Sequence, residues 1–240
     1  MSEKNSTPKQ SEQALGSNGN WWWLFIVYAV ASVIHVSANL ADSTWSMPTK
    51  LALMPLLALA AFWGLRGTKW STPHTLLILA IFFSWLGDGA GPFFPFMEDE
   101  LPMMILCFGI AHIFYIVLFT KHLAIRKFPT WALIFVVWWV VLVIYMFPKA
   151  GALAIPIAIY GIVLGLTAAT ATRCYWVITV GALFFLASDT ALAFNIFASD
   201  SAPAWFTHSV MTTYTIGQGL IALGVVLVLR TRVGTAPSKS

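Results

Sequence analysis

Charged residues are scarce in this sequence, and their scarcity excludes most soluble classes of protein. Asp, Glu, Lys and Arg make up only 9% of the 240 residues, whereas a soluble domain carries about 25%. Cysteine is almost absent: Cys107 and Cys174 are the only two, and neither lies in a Cys-x-x-Cys or Cys/His pattern. We therefore expect neither a disulfide nor a cysteine-bound metal.

Long apolar runs take the place of the missing charge, since 59% of the residues are hydrophobic. Runs of about 20 apolar residues have the length needed to cross a bilayer as a helix. The sequence contains eight: Trp21 to Ala41, Pro48 to Leu65, Pro73 to Phe93, Leu101 to Thr120, Thr130 to Phe147, Ala152 to Thr172, Tyr175 to Phe197 and Trp205 to Leu229. They predict an all-α, polytopic protein of the cell membrane, built as a bundle of eight transmembrane helices.

The basic residues indicate how the chain is oriented. Eleven of the 13 Lys and Arg fall in the even-numbered connections and the two tails. The opposite side has only Lys50 and Lys149, and it also carries the acidic run Glu98–Glu100 and Asp200. The positive-inside rule therefore places both termini in the cytoplasm. The net charge of +4 reflects this topology and gives no indication of nucleic-acid binding.

The domain organisation is simple. Residues 1–20 are polar and predicted to form a disordered cytoplasmic tail. Residues 21–230 form one eight-helix transmembrane domain, and residues 231–240 a short cytoplasmic tail. The first apolar run is too long for the core of a signal peptide, so we expect it to remain as the first span.

Two aspartates lie inside apolar runs, in the strings FFSWLGD (ending at Asp88) and FFLASD (ending at Asp189). An ionisable side chain near the bilayer centre costs roughly 2.5 to 3.5 kcal/mol, so it is kept where it is neutralised, paired or used. A purely structural ion pair with Lys50 is the simpler interpretation, but one lysine cannot neutralise two carboxylates. The pair therefore predicts a buried acid/base site.

The surroundings of the two aspartates match, which raises the possibility of an internal repeat. Each aspartate follows a Phe-Phe pair and a small residue, and the two are 101 residues apart (189 − 88). That separation is close to four spans, so a parallel four-plus-four repeat is one arrangement that would bring the carboxylates together.

Several other polar residues lie at similar depth, and we predict that they line the same pocket and bind the substrate: Lys50, Ser84, His112, Tyr115, Ser188, Asn195, Tyr214 and Gln218. Pointing all of them inward avoids the cost of facing lipid. Each also has a structural interpretation. The hydroxyls and amides can bond to neighbouring helices, the histidine can be a core residue, and the lysine can extend to the headgroups.

These residues resemble the YhhN-type membrane proteins, a family that includes lysoplasmalogenases. The resemblance covers roughly residues 48 to 225. It rests on Lys50, Ser84-x-x-Gly87-Asp88, Gly109-x-x-His112-x-x-Tyr115, Tyr160, Gly181-Ala182-x-Phe184 leading to Ser188-Asp189, Asn195-x-Phe197 and Tyr214-x-x-x-Gln218. The chain departs from the family pattern at Leu51, where Pro is usual, and at Gly89–Pro92, where bulky apolar residues are usual.

The resemblance implies hydrolysis of the vinyl ether bond of a lysoplasmalogen, a lysophospholipid, to a fatty aldehyde and a glycerophospho-headgroup. The chemistry suits the residues, since the reaction needs one proton donor and one carboxylate to stabilise an oxocarbenium ion and activate water. Asp88 and Asp189 are the predicted catalytic residues. No metal and no organic cofactor is then required.

Two other functions remain open from the sequence. His35, His112 and His208 with one aspartate would supply the ligands of a catalytic zinc site in a metal-dependent intramembrane hydrolase, although their spacing shows no ligand pairing. A proton-coupled lipid or small-molecule transporter would use the aspartates as a proton relay without cleaving a bond.

Overall fold

The computed structural model describes residues 20–234, and this part of the chain is mostly helical and contains no strand. The eight long helices of the described residues are α1 (Trp23–Leu40), α2 (Ser46–Gly64), α3 (Thr72–Asp88), α4 (Leu101–Val117), α5 (Ile134–Met146), α6 (Ala154–Ala171), α7 (Trp176–Phe197) and α8 (Ala204–Gly234). Each overlaps one predicted apolar run. The predicted tail at residues 1–20 lies outside the described residues except for Asn20.

Six segments are long and apolar enough to cross a membrane within the described range: Trp23–Leu40, Ser46–Gly64, Leu101–Leu123, Gly151–Ala171, Trp176–Phe197 and Trp205–Arg232. The segment Thr130–Met146 is a shorter apolar helix, and α3 has 17 residues. The all-helical membrane class is thus confirmed. The count of eight spans and the cytoplasmic position of the termini stay predictions.

Seven of the long helices form a closed ring, in which the neighbours are α1/α2, α2/α3, α3/α4, α4/α6, α6/α7, α7/α8 and α8/α1. The fifth helix, α5, packs mainly against α6, on the outside of this ring. The largest fully buried side chains include Tyr115 and Phe119 of the α4 segment and Phe185 of α7. The ring therefore has an interior filled by side chains from opposite helices, and polar groups in it are shielded from lipid.

Close backbone contact joins α7 and α8, the most extensively packed pair in the bundle. A Cβ added to Gly181 would lie 2.7 Å from the backbone nitrogen of Ile221, and one added to Gly217 would lie 2.8 Å from that of Phe185. Small residues at helix crossings let backbones approach closely, which is how helices gain packing energy where lipid removes the hydrophobic driving force. This contact fixes α7, and hence Asp189, against α8.

The end of α3 differs from the prediction. The apolar run was expected to continue as one span to Phe93, but α3 ends at Asp88, and a separate one-turn helix follows at Ala90–Phe93. Pro92 explains the break, because it has no N–H to donate to the carbonyl of Asp88 four residues earlier. Asp88 therefore ends its helix, whereas Asp189 lies within α7. The four-plus-four repeat requires equivalent helix positions for the two aspartates, and the structure does not show them.

The last helix is longer than its apolar run. It continues to Gly234, so the predicted tail at 231–240 begins within a helix and its final six residues lie outside the described range. Arg230 donates to the backbone oxygen of Gly64 at 2.7 Å and lies over the ring of Trp21. A long basic side chain at the end of a membrane helix can keep its charge satisfied in this way.

Candidate active site

Asp88 is buried at the end of α3, with only 5% of its surface exposed. The hydroxyl of Tyr214 on α8 donates to its Oδ2 at 2.7 Å. The ammonium of Lys50 on α2 lies 4.0 Å from its Oδ1. A hydroxyl donor and a cation both stabilise the ionised carboxylate. The structure thus pairs Lys50 with one of the two aspartates.

Asp189 lies near the middle of α7 and has different partners. The hydroxyl of Tyr160 on α6 donates to its Oδ2. The Nε2 atom of His112 on α4 is 3.8 Å from the same oxygen and 3.3 Å from the Tyr160 hydroxyl. These three side chains form a compact group, which we call the Asp189 triad. Its basic member is a histidine, whose two ring nitrogens can each accept or donate a hydrogen bond.

Thr167 on α6 decides which nitrogen of His112 faces the triad. The Thr167 hydroxyl donates to the backbone oxygen of Val163 at 2.8 Å, so its single hydrogen is already used. Its oxygen is 3.1 Å from Nδ1 of His112 and must accept from that nitrogen. The Nδ1 atom therefore keeps its proton, and Nε2 is the nitrogen that faces Tyr160 and Asp189.

Aromatic rings connect the two aspartates. The ring of Phe185 lies 5.5 Å from that of Tyr214 and 4.8 Å from that of His112, measured between centroids. Phe185 thus lies between Tyr214, which donates to Asp88, and His112, which lies beside Asp189. The two carboxylates thus belong to one region of the bundle interior, each with a tyrosine hydroxyl and one basic partner.

The predicted binding residues Ser84, Tyr115 and Gln218 form a second hydrogen-bonded group. Tyr115 donates to Oε1 of Gln218 at 2.6 Å, and Nε2 of Gln218 donates to Ser84 at 2.9 Å. All three are fully buried. These bonds tie α4, α8 and α3 together, and they place Gln218 one turn beyond Tyr214 on α8. The group supports the helices that carry the site.

Two further predicted residues have other partners. Ser188 donates to the backbone oxygen of Val210 at 2.9 Å, which is the structural role considered above. The Asn195 side chain accepts a bond of 3.3 Å from Thr207, between α7 and the start of α8. Neither makes a hydrogen bond to an aspartate, so a substrate-binding role for them stays a prediction.

An apolar cleft reaches Asp189 between α4, α6 and α7. Its walls include Met104 and Phe108 from α4, Ile157 and Leu164 from α6, and Leu192 and Ala193 from α7. Tyr160 and Asp189 are the residues of the triad that line it. The cleft thus joins the Asp189 carboxylate to a surface suited to hydrocarbon.

Sequence reasoning underestimated two residues of this site. Tyr160 was noted only for its place in the family pattern, and Thr167 was not singled out. The available signal for Tyr160 is a phenol in the middle of an apolar run. Thr167 gives no comparable signal, because threonine in a membrane helix commonly bonds to its own backbone, as Thr170 does.

The three histidines of the alternative zinc site are not gathered. His112 belongs to the Asp189 triad, His208 is exposed, and Nδ1 of His35 is 3.0 Å from the Thr49 hydroxyl. The described residues contain no group of three or more His, Cys, Asp or Glu that could hold a metal. Among the described residues, Nε2 of His35 is the one buried side-chain nitrogen or oxygen without a hydrogen-bond partner.

These features define an α-helical membrane protein with two carboxylates buried in its bundle. The chain belongs to the YhhN family, whose family model matches residues 45–225. No curated protein and no solved structure matches the chain.

Proposed function

We propose that this protein is an intramembrane hydrolase that cleaves the vinyl ether bond of lysoplasmalogens, with an ethanolamine or choline headgroup, and releases a fatty aldehyde. One observation carries the proposal. Asp88 and Asp189 are both held inside a bundle of apolar helices, and each has a hydroxyl donor and a basic neighbour. Such carboxylates are costly in a membrane protein unless they serve a function. Membership of the YhhN family agrees with this function.

The reaction begins when a carboxylic acid transfers a proton to the β-carbon of the vinyl ether. The electrons of the C=C bond form the new C–H bond, and the ether oxygen shares the positive charge of the resulting oxocarbenium ion. The second carboxylate stabilises that ion and accepts a proton from the water that attacks the α-carbon. The hemiacetal then collapses: its hydroxyl proton moves to the glycerol oxygen as the C–O bond breaks. One water is consumed, and the aldehyde and the glycerophospho-headgroup are the products.

Four of the predicted binding residues support this chemistry. Lys50 balances the charge of Asp88 and is also the cation that we assign to the substrate phosphate, which an ammonium binds as a point charge. The group of Ser84, Tyr115 and Gln218 holds the helices in place. We propose that the protein lies in the cell membrane with both termini in the cytoplasm. Because the site is inside the membrane bundle, the lysolipid would reach it from the bilayer.

The proposal is tested by assaying purified protein in detergent for aldehyde release from lysoplasmenyl-ethanolamine and lysoplasmenyl-choline. The matched control substrate is the 1-alkyl lysolipid, which has the same chain and headgroup but no C=C bond and should not be cleaved. Chelators should leave the rate unchanged. Absence of aldehyde from both vinyl ether lipids would contradict the proposal.

A further inference from the structure

The two aspartates differ in what lies beside them, and the difference orients a lipid substrate. The apolar cleft borders Asp189, between α4, α6 and α7. Lys50 borders Asp88 from α2, on the other side of the ring of helices. A lysolipid has a hydrocarbon chain at one end and a phosphate at the other, so its two ends match these two surroundings.

We infer that the hydrocarbon chain of the substrate lies in the cleft beside Asp189, with the phosphate toward Lys50, and that Asp189 is therefore the proton donor. In a vinyl ether the β-carbon carries the chain, and the α-carbon carries the oxygen that leads to the glycerol phosphate. Chain and phosphate in these positions put the β-carbon next to Asp189 and the α-carbon toward Asp88. This inference rests on the proposed function and deepens it.

Charge balance leads independently to the same assignment. The ammonium of Lys50 lies 4.0 Å from Oδ1 of Asp88, so this pair is neutral when Asp88 is ionised and has no proton to give. The Asp189 triad, by contrast, contains no lysine or arginine, and it is neutral only when it holds one exchangeable proton. Because a lone buried charge costs several kcal/mol, the triad should hold that proton. That proton can lie on Nε2 of His112, or on Asp189 with the Tyr160 hydroxyl turned to donate to Nε2.

The triad can therefore both supply and replace the proton. When Asp189 gives its proton to the β-carbon, the carboxylate left behind is the form to which Tyr160 donates. The proton that the attacking water releases goes to Asp88, which is ionised beside Lys50. Asp88 then releases that proton to solvent, and a solvent proton taken up at Nε2 of His112 restores the neutral triad for the next turnover.

The cleft provides the first test. Residues 189, 192, 193, 196 and 197 of α7 line it, a stretch of about 12 Å along the helix axis. Ala193 lies about 6 Å along that axis from Asp189, so Ala193→Phe should block the far half of the cleft. We expect it to lower kcat/KM on long-chain lysoplasmenyl lipids at least tenfold and to retain activity on short-chain ones.

The matched control is Ala187→Phe, the same substitution at an exposed alanine of the same helix. It should leave the chain-length profile as in the wild type. If Ala193→Phe does not fold, Ala193→Leu tests the same point with a smaller side chain. A wild-type chain-length profile in a folded Ala193 variant overturns the chain position. If the wild type cleaves no vinyl ether lipid at all, the proposed function fails and the inference with it.

The pH profile of kcat/KM tests the assignment of roles. His112 and Tyr160 face Asp189, while Lys50 and Tyr214 face Asp88. For the residual activity of Asp189→Asn, kcat/KM should no longer fall at high pH, because the group that had to be protonated is gone. For Asp88→Asn, kcat/KM should no longer fall at low pH, because the group that had to be ionised is gone. The reverse pattern would make Asp88 the proton donor and overturn the inference.

Discussion

The hydroxyl of Tyr160 should be essential to turnover but not to folding. It donates to Asp189 and lies 3.3 Å from Nε2 of His112, so it joins the two groups between which the exchangeable proton moves. Tyr160→Phe removes this one oxygen and keeps the ring, which packs edge-on against His112. The change therefore isolates the hydrogen bonds of the triad from its packing.

The size of the effect follows from the kind of bond lost. A hydrogen bond to a charged group contributes about 1.5 to 3 kcal/mol. A loss of that size from the transition state corresponds to a fall of about 10- to 150-fold in kcat. KM should change much less, because in the proposed reaction the hydroxyl acts on the carboxylate and not on the lipid.

The matched control is Tyr28→Phe. The Tyr28 hydroxyl is also buried and donates at 2.8 Å, but to the backbone oxygen of Thr215 and not to an aspartate. Both variants lose one buried hydroxyl, so both should unfold at similar temperatures in detergent, while only Tyr160→Phe should lose turnover. A folded Tyr160→Phe protein with kcat within twofold of the wild type would refute the role of the triad.

Three further predictions concern the neighbouring groups and the frame. Lys50→Met leaves Asp88 without its cation, so kcat at neutral pH should fall at least tenfold, and KM should rise if Lys50 also binds the phosphate. Unchanged kcat and KM would contradict both roles and indicate that Lys50 only anchors its helix at the membrane interface. Gly181→Ala should lower the Tm, because the new Cβ would meet the backbone of Ile221, whereas Gly109→Ala, where the nearest atom is 3.9 Å away, should keep or raise it; equal Tm values would contradict the account of α7/α8 packing. Cysteine labelling of the two chain ends in intact cells should find both protected from an impermeant reagent, and labelling of either end would reverse or change the topology.

Hydrophobic patterning was sufficient to predict the helices. Each apolar run of about 20 residues became a helix, because a backbone in lipid must satisfy its own hydrogen bonds. The break after Asp88 was missed, although Pro92 signals it: the apolar composition continues to Phe93 and conceals the local effect of proline. Boundaries depend on such single residues, whereas the existence of a helix depends on the whole run.

The site was predictable only in part, for a physical reason. A carboxylate in an apolar run is conspicuous, so Asp88 and Asp189 stand out from the sequence alone. Their partners depend on which helices become neighbours. The sequence pattern therefore does not predict that Lys50 pairs with Asp88 or that His112 lies beside Asp189. The tautomer set by Thr167 and the apolar cleft at Asp189 are products of packing between α4, α6 and α7, which one sequence does not specify.

The central claim, that two buried carboxylates act as one catalytic unit on a vinyl ether, is tested most directly by the rate of aldehyde release from lysoplasmenyl-ethanolamine by the wild type, Asp88→Asn, Asp189→Asn and the double variant. The amide nearly matches the carboxylate in shape and removes a charge from the membrane interior, so the variants should insert and fold. General acid/base catalysis contributes about 10² to 10⁴ in rate, and each single variant should lose an amount in that range. Because the two groups act together, the double variant should be little slower than either single one. A single variant that folds and keeps a rate near that of the wild type would contradict the claim.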